Sequence, residues 1–201
     1  MKLIIVRHGE TDRNINAHLI DLGSESVPLN GTGLRQGEAV AKRLAREKID
    51  VIVCSDLLRA KQTAALIQRY HPGLDIQYSS QLRERDSGDY AHRSVADRET
   101  AQQASGLGFR DWRPNGGESI RDVKIRAGQW LEQCRKTYPD RTVLMVSHGF
   151  FIFTLLEWAV EEGAEVAREK YRHHNSAVTT LDLPLGGAAR VIHLNDIRHL
   201  R

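Results

Sequence analysis

The sequence predicts an α/β fold, a three-layer sandwich in which a central, mostly parallel sheet is flanked by helices. Short apolar runs rich in branched residues recur along the chain and have the length of buried strands. Each of the first runs precedes a stretch with apolar residues at helical spacing. This alternation is typical of open α/β sheets, which bind ligands beyond the carboxyl ends of their strands.

Six segments are predicted as strands. Three of them are compact apolar runs, LIIV, VIVC and VLMVS, and the last two segments are joined across the turn-like sequence PLGG. In chain order the predicted strands are residues 3–6, 51–54, 76–78, 143–147, 177–183 and 189–194.

Four segments are predicted as helices, each with an apolar face for the sheet. The third runs from Ile120 to Tyr138, is entered through GGES and ends before Pro139. The fourth, residues 151–160, is apolar enough to be largely buried. The stripes of the first two helices are Leu34, Gly37, Val40, Ala41 and Leu44, then Leu57, Ala60, Ala64 and Ile67.

The three tryptophans differ in setting. Trp130 and Trp158 lie on apolar helix faces, so we predict that both belong to the core. Trp112 lies in the glycine-rich connection 105–118, which is of the kind that forms a lid or binding loop, and its place stays open.

Length and composition predict one soluble domain, residues 1–201. The 201 residues are 40% hydrophobic and 27% charged, and neither a linker nor a repeat divides them. The two cysteines, Cys54 and Cys134, lack the spacing of a disulfide scaffold or zinc site, which suits a reducing cytoplasm. No apolar run approaches the ~20 residues of a membrane span. We therefore expect a cytoplasmic protein without a membrane partner.

The charge balance excludes a general nucleic-acid binder. There are 29 Lys+Arg against 26 Asp+Glu, a net charge of +3, so the chain has no broad basic field. Basic residues that serve function here must converge locally, for instance on a small anion.

Polar residues with reactive side chains follow four of the predicted strands and are expected at one rim of the sheet. They comprise two arginines, two histidines and one carboxylate, namely Arg7, His8, Arg59, Glu84 and His148. Two guanidiniums that converge on one point match the oxygens of a phosphate. Gly9 and Gly149 follow the histidines and are expected to let backbone N–H groups approach an oxyanion.

This cluster predicts phosphoryl transfer without a metal. A neutral imidazole of one histidine can attack phosphorus and form a phosphohistidine that water later opens. Arg7, Arg59 and the other histidine would stabilise the transition state, and Glu84 would protonate the leaving alcohol. The other histidines lack ligand spacing and are expected to be solvated or core residues; they are His18, His71, His92, His173, His174, His193 and His199.

Simpler structural roles stand beside these assignments. The tripeptide RHG by itself is compatible with a capping turn, and Arg59 with a solvated helix face. Glu84 stands between Arg83 and Arg85, a position that also suits a surface ion pair of little energetic weight. The second HG and the convergence of the five side chains favour the functional role.

Five motifs carry a resemblance to a known family. In chain order they are LIIVRHGETDRN, CSDLLRAKQTA, LRERDSGDY, GGES and VSHGF. Together they resemble the histidine phosphatase superfamily in its phosphoglycerate-mutase-like branch, over roughly residues 1–180. The resemblance implies that branch's α/β fold and a cofactor-free enzyme.

The resemblance also implies a role for each matching residue. His8 would be the phosphorylated nucleophile and Glu84 the proton donor. The residues implied to bind the phosphate are Arg7, Asn14, Arg59, His148, Gly149 and Asn175. Two stretches depart from the family pattern. Residues 87–92 lack its aromatic and acidic-glycine pair, and Phe150 and Phe153 replace a glycine and an arginine, which indicates a more apolar wall beside the pocket.

Three functions fit these observations. The favoured one is a phosphomonoesterase that hydrolyses a small phosphorylated metabolite. A phosphoglycerate-type mutase is disfavoured because the interval between Glu84 and Glu118 is short for the basic segment that such mutases use to clamp a carboxylate-bearing substrate. A non-catalytic phospho-ligand module is disfavoured because it needs neither a nucleophile nor an acid.

Overall fold

The computed structural model describes residues 1–15, 26–160, 171–184 and 187–201, and in these residues six strands form one mixed sheet. The strands are β1 (Lys2–Arg7), β2 (Val51–Ser55), β3 (Ile76–Ser79), β4 (Thr142–Ser147), β5 (Val178–Asp182) and β6 (Arg190–Asp196). Their order is β3-β2-β4-β1-β5-β6. The first four strands run parallel, while β5 and β6 pair antiparallel at one edge. The predicted strands and mostly parallel sheet are therefore confirmed.

The helices are α1 (Asp12–Ile15), α2 (Gly31–Leu44), α3 (Leu58–Gln68), α4 (Val95–Ala104), α5 (Ile120–Thr137) and α6 (Gly149–Ala159). Four of them were predicted. The helix α4 was not, because it buries only Arg98 and so carries no apolar stripe. Its start is set locally, by a capping box between Ser94 and Asp97.

The two faces of the sheet bury two separate cores. Alternate side chains of β1 enter opposite sides, with Leu3 and Ile5 on one and Ile4 and Val6 on the other. The helices α5 and α6 cover the first side, whereas α2 and α3 cover the second. The predicted three-layer sandwich is confirmed.

Two predictions about buried side chains are wrong. Leu34 is 46% exposed, because the face of α2 turned to the protein passes through Gly33 instead. Trp158 is 40% exposed because its ring lies against the backbone of Gly128 in α5, at the surface between the two helices. Trp130 is in the core as predicted, and Trp112 is also buried, with its ring edge-on to Tyr90.

Cys54 and Cys134 are free and buried. None of the helices in the described ranges has the length and hydropathy needed to cross a bilayer. His18 and part of the predicted PLGG turn lie outside the described residues.

Candidate active site

The pairing of β1 with β4 brings the two histidines together. Arg7 is in register with Ser147, so the residues that follow, His8 and His148, leave neighbouring strands at the same edge. The backbone N–H of His8 donates to the carbonyl of Ser147 at 3.0 Å. The two imidazole centroids lie 5.1 Å apart, and both side chains are buried. The predicted juxtaposition of the histidines is therefore observed.

The ring of His8 has a defined orientation. Its Nδ1 lies 2.7 Å from the carbonyl oxygen of Gly9. Since a carbonyl only accepts, Nδ1 is the protonated nitrogen, and Nε2 carries the free electron pair of the neutral ring. Burial, followed by the charges of Arg59 and Arg7, holds the pKa of His8 well below its usual range. The site thus holds His8 neutral, which is the form able to attack phosphorus.

Arg59 is the second residue of α3 and is buried, so it is not a solvated face residue. Its positive charge lowers the pKa of both His8 and His148. The start of α3 is also joined to the loop after β1. The hydroxyl of Thr63 donates to the carbonyl of Arg59 at 2.9 Å and accepts the N–H of Gly9 at 3.0 Å.

The hydrogen bond between Gly9 and Thr63 corrects the role predicted for Gly9. Its N–H is occupied by Thr63 and does not face an oxyanion. Gly9 is needed for packing instead, because a Cβ there would lie 2.5 Å from the carbonyl oxygen of Gly33. Gly149 fits the prediction better, since it begins α6 and its N–H is among the first-turn donors that lack an acceptor within the helix.

Arg7 and Glu84 both approach Gly149, the first residue of α6. A Cβ at Gly149 would lie 3.7 Å from both the Arg7 guanidinium and Oε2 of Glu84. Arg7 is held by a hydrogen bond from Nη1 to the carbonyl of His173. Both side chains therefore meet at the start of α6, directly after His148.

Glu84 is not part of a surface ion pair. Its side chain is buried, and Oε1 accepts the backbone N–H groups of Arg85 and Phe150, each at 3.0 Å. Arg83 pairs with Asp56 at 2.7 Å. The carboxyl group of Glu84 thus caps the N-terminus of α6 beside the two histidines.

The two asparagines support the loop that carries His8. Nδ2 of Asn175 donates to the carbonyl oxygen of His8 and to Oδ1 of Asn14, both at 3.0 Å. Oδ1 of Asn14 also accepts the N–H of Thr11. Both residues are close to His8, as predicted, although these amide groups are bound to protein atoms.

A cavity of about 230 Å³ opens beside Arg7 and Glu84. Phe150, Phe153 and Tyr171 form its wall, and the exposed Arg172 lies at its rim. The two phenylalanines line the cavity as predicted, although Arg7, Glu84 and His173 make the rest of its lining polar. The guanidiniums of Arg85 and Arg110 lie near the Phe150 and Phe153 rings, 6.0 and 5.8 Å from the respective centroids.

Sequence reasoning missed three residues that shape the site: Ser55, Thr63 and Gly33. Ser55 bonds the ring of His148, Thr63 joins α3 to Gly9, and Gly33 packs on the backbone of Glu10. The first two belong to the CSDLLRAKQTA motif already quoted, so their position was visible although their partners were not.

His173 is a core residue, as expected. Its Nδ1 and Nε2 bond the carbonyl of Tyr171 and the hydroxyl of Thr179, and burial lowers its pKa to about 4. Among the residues that the structure describes, no group of three or more His, Cys, Asp or Glu side chains is arranged to hold a metal ion.

Comparison with known proteins covers almost the whole chain. Residues 3–197 match the profile of the histidine phosphatase superfamily, branch 1. The chain is 31% identical over 186 residues to the probable phosphoglycerate mutase GpmB of Proteus mirabilis, covering 90% of this chain and 85% of that protein. It is 34% identical over 152 residues to the uncharacterized phosphatase PhoE of Bacillus subtilis, covering 76% and 74%.

A solved structure extends this similarity to the fold. The native mycobacterial glucosyl-3-phosphoglycerate phosphatase superposes with a TM-score of 0.82 at 26% identity, covering 98% of this chain and 99% of the other.

Proposed function

The chain belongs to the histidine phosphatase superfamily and is a metal-independent phosphatase of that type; from this premise we propose that it hydrolyses a small phosphate monoester through a phosphohistidine formed on His8. The observation that supports this proposal is the buried His8 ring, whose lowered pKa favours the neutral form and whose Nδ1 is bound to Gly9, so that Nε2 keeps the free electron pair.

In the proposed reaction, Nε2 of His8 forms a bond to phosphorus while the bond from phosphorus to the ester oxygen breaks. Arg7, Arg59 and His148 stabilise the negative charge on the remaining phosphoryl oxygens. Water then attacks phosphorus, so that a P–O bond forms while the P–N bond breaks and its electron pair returns to Nε2 of His8. One proton of the water passes to a base, and inorganic phosphate leaves. The burial of Arg59 supports this assignment, because a low-dielectric setting strengthens the effect of its charge.

Glu84 is proposed to protonate the leaving alkoxide in the first step and to accept a proton from water in the second. Its position supports both steps, because the carboxyl group lies beside Arg7 at the start of α6 and borders the cavity. Asn14, Asn175 and Gly149 are proposed to complete the phosphate site by holding the His8 loop and by presenting the first N–H of α6.

The cavity beyond Glu84 is proposed to receive the organic part of the substrate. Its volume of about 230 Å³ corresponds to roughly eight water molecules at ~30 Å³ each, which suits a small metabolite. Arg172 at the rim adds a positive charge that would favour a leaving group with an acidic substituent. We also propose a cytoplasmic location, since the two buried thiols are free. Neither a nucleic acid nor a membrane is proposed as a partner.

The test is acid-labile labelling during turnover. The protein is incubated with a ³²P-labelled phosphate monoester, quenched in alkali and digested, and the label is expected on the peptide that contains His8. His8→Ala should lose nearly all hydrolysis of p-nitrophenyl phosphate, whereas His174→Ala, a change at an exposed histidine, should retain it. Equal rates for wild type and His8→Ala would end the assignment.

The alternative is a mutase, in which the same phosphoenzyme returns its phosphoryl group to a second hydroxyl. The similarity to a probable phosphoglycerate mutase makes phosphoglycerate the compound on which to test this alternative. Incubation with 3-phosphoglycerate and a trace of the bisphosphate separates the two activities. We expect free phosphate to appear faster than 2-phosphoglycerate. Faster isomerisation would replace hydrolysis as the main activity.

A further inference from the structure

We propose that Ser55 is a positioning residue that selects the ring tautomer of His148, so that Nδ1–H of His148 faces the transferring phosphoryl group as a donor. The inference deepens the proposed function and rests on it for its catalytic consequence. It concerns a side chain at the end of β2 that takes no direct part in the chemistry.

The hydrogen bonds of Ser55 determine the direction of its contact with His148. The hydroxyl oxygen lies 2.8 Å from Nε2 of His148 and accepts the backbone N–H of Leu57 at 3.3 Å. Among the residues that the structure describes, no other acceptor lies within hydrogen-bonding distance of this fully buried hydroxyl. The Ser55 proton therefore goes to Nε2, since a buried O–H left without an acceptor would be costly.

If Nε2 accepts this proton, then Nδ1 must carry the proton of the neutral ring. Nδ1 of His148 is buried and makes no hydrogen bond within the described part of the chain. A buried N–H donor without a protein partner, next to the His8 ring, matches a phosphoryl oxygen that arrives with the substrate.

The choice of tautomer matters because His148 is neutral in the free protein. Burial, followed by the charges of Arg59, His8 and Arg7, holds the pKa of His148 well below its usual range. A neutral imidazole has one donor and one acceptor nitrogen. In the opposite tautomer, the electron pair of Nδ1 would face the phosphoryl oxygens and repel them.

The tautomer is measured first, in the substrate-free protein, from ¹⁵N chemical shifts of the imidazole nitrogens. In the wild type at pH 7.5 we expect Nδ1 of His148 to be protonated and Nε2 to be unprotonated. In Ser55→Ala the ring should populate the opposite tautomer. Ser147→Ala is the matched control, because it removes another buried hydroxyl, one bonded to the carbonyl of Leu82, and should leave the His148 shifts unchanged.

Activity supplies the second readout. Ser55→Ala should lower kcat on the order of 10- to 100-fold, as removal of a group that orients a catalytic residue typically does. Ser55→Thr retains the hydroxyl and should restore both the Nδ1–H tautomer and most of kcat. If Ser55→Ala does not fold, the wild-type and Ser55→Thr shifts still decide the matter.

The outcomes separate this inference from the proposed function. A protonated Nε2 in wild-type His148, or an unchanged tautomer in folded Ser55→Ala, would overturn the role of Ser55 while leaving the phosphohistidine intact. Absence of label on His8 would overturn the proposed reaction but not the measured tautomer.

Discussion

At the scale of single residues, the site depends on how the protonation of its two histidines is controlled. His8 is neutral because burial and two nearby guanidiniums disfavour a further positive charge, and its Nδ1 is bound to Gly9. His148 is neutral for the same reasons and bonds Ser55. In the proposed reaction the arginines thus have two effects, since they would attract the phosphate and keep the His8 ring unprotonated.

This control predicts an unusual titration. In the free protein, His8 and His148 should remain neutral when the pH is lowered from 8 to 5.5, because their pKa values lie well below 6.5. Proton NMR of the imidazole C–H groups measures this. Addition of inorganic phosphate should raise the pKa of the histidines, because a bound anion favours the charged ring. Titration of both rings near pH 6.5 without phosphate would contradict the prediction.

Replacement of Glu84 by glutamine tests whether its carboxyl group protonates the leaving alcohol. Glu84→Gln keeps an oxygen that can accept the N–H of Phe150, so the start of α6 should remain capped. We expect kcat to fall about 100-fold for alkyl phosphates and much less for aryl phosphates, whose leaving groups need less protonation.

The readout for Glu84→Gln is the ratio of kcat between a phosphorylated alcohol and p-nitrophenyl phosphate. An equal loss for both substrates would remove Glu84 from the acid role. Unchanged thermal stability would exclude misfolding as the cause of any loss.

At the scale of elements, the site is assembled where strands end and helices begin. The loop after β1 carries His8, the first turn of α3 carries Arg59, and the first turn of α6 presents Gly149 beside Glu84. Helix N-termini favour negative charge, so both helices would support the cations in binding the phosphate of the proposed substrate. The start of α2 packs on the loop after β1 and keeps it in place, because Gly33 contacts the backbone of Glu10.

The contact between α2 and this loop gives a prediction with an internal control. A Cβ at Gly33 would overlap with backbone atoms of Glu10, whereas a Cβ at Gly31 has its nearest neighbour at 3.8 Å, the end of the Arg35 side chain. Gly33→Ala should therefore cost about 1–3 kcal/mol, equivalent to several degrees in Tm, and lower kcat by displacing His8.

Gly31→Ala should change neither the melting temperature nor the activity appreciably. Differential scanning calorimetry and the p-nitrophenyl phosphate assay compare the two variants. Equal effects of the two substitutions would show that the α2 contact does not hold the loop.

At the scale of the whole molecule, the fold favours the neutral form of several histidines. The pKa is lowered for the buried His8, His71, His148 and His173 and for the half-buried His199, in each case chiefly by removal of the ring from water. The unfolded chain exposes these rings to water and binds protons near pH 6.5. The folded protein therefore binds fewer protons than the unfolded chain at mildly acidic pH, so the free energy of unfolding depends on pH.

The sign of this link follows from the lowered pKa values. The contribution of His173 is fully present above pH 6.5 and is lost as the pH falls toward its folded pKa of about 4. The lowered pKa of His173 contributes about 3 kcal/mol in total to the free energy of unfolding, and about 2 kcal/mol of this is lost between pH 7 and pH 5. The other rings add to this loss.

Urea unfolding at pH 7 and pH 5 measures the loss. We expect the free energy of unfolding to be at least about 2 kcal/mol lower at pH 5, and His173→Gln to show a smaller difference. Equal stability of the wild type at both pH values would contradict the prediction.

The sequence by itself determined the fold class and the six strands, and it predicted that five polar side chains meet at one rim of the sheet. These depend on local properties, namely apolar period, strand length and the residue types that follow each strand. It did not determine which groups those residues contact. Glu84 meets Phe150 across the fold, the N–H of Gly9 is occupied by Thr63, and His148 meets Ser55.

Such contacts join residues far apart in sequence, so only strand register and helix packing decide them. The same reason explains the exposed Leu34 and Trp158, because periodicity identifies an apolar face but not the glycine backbone that a neighbouring element packs against. Residue types therefore predicted a phosphate site, while the tertiary structure decided which nitrogen of each histidine holds the proton.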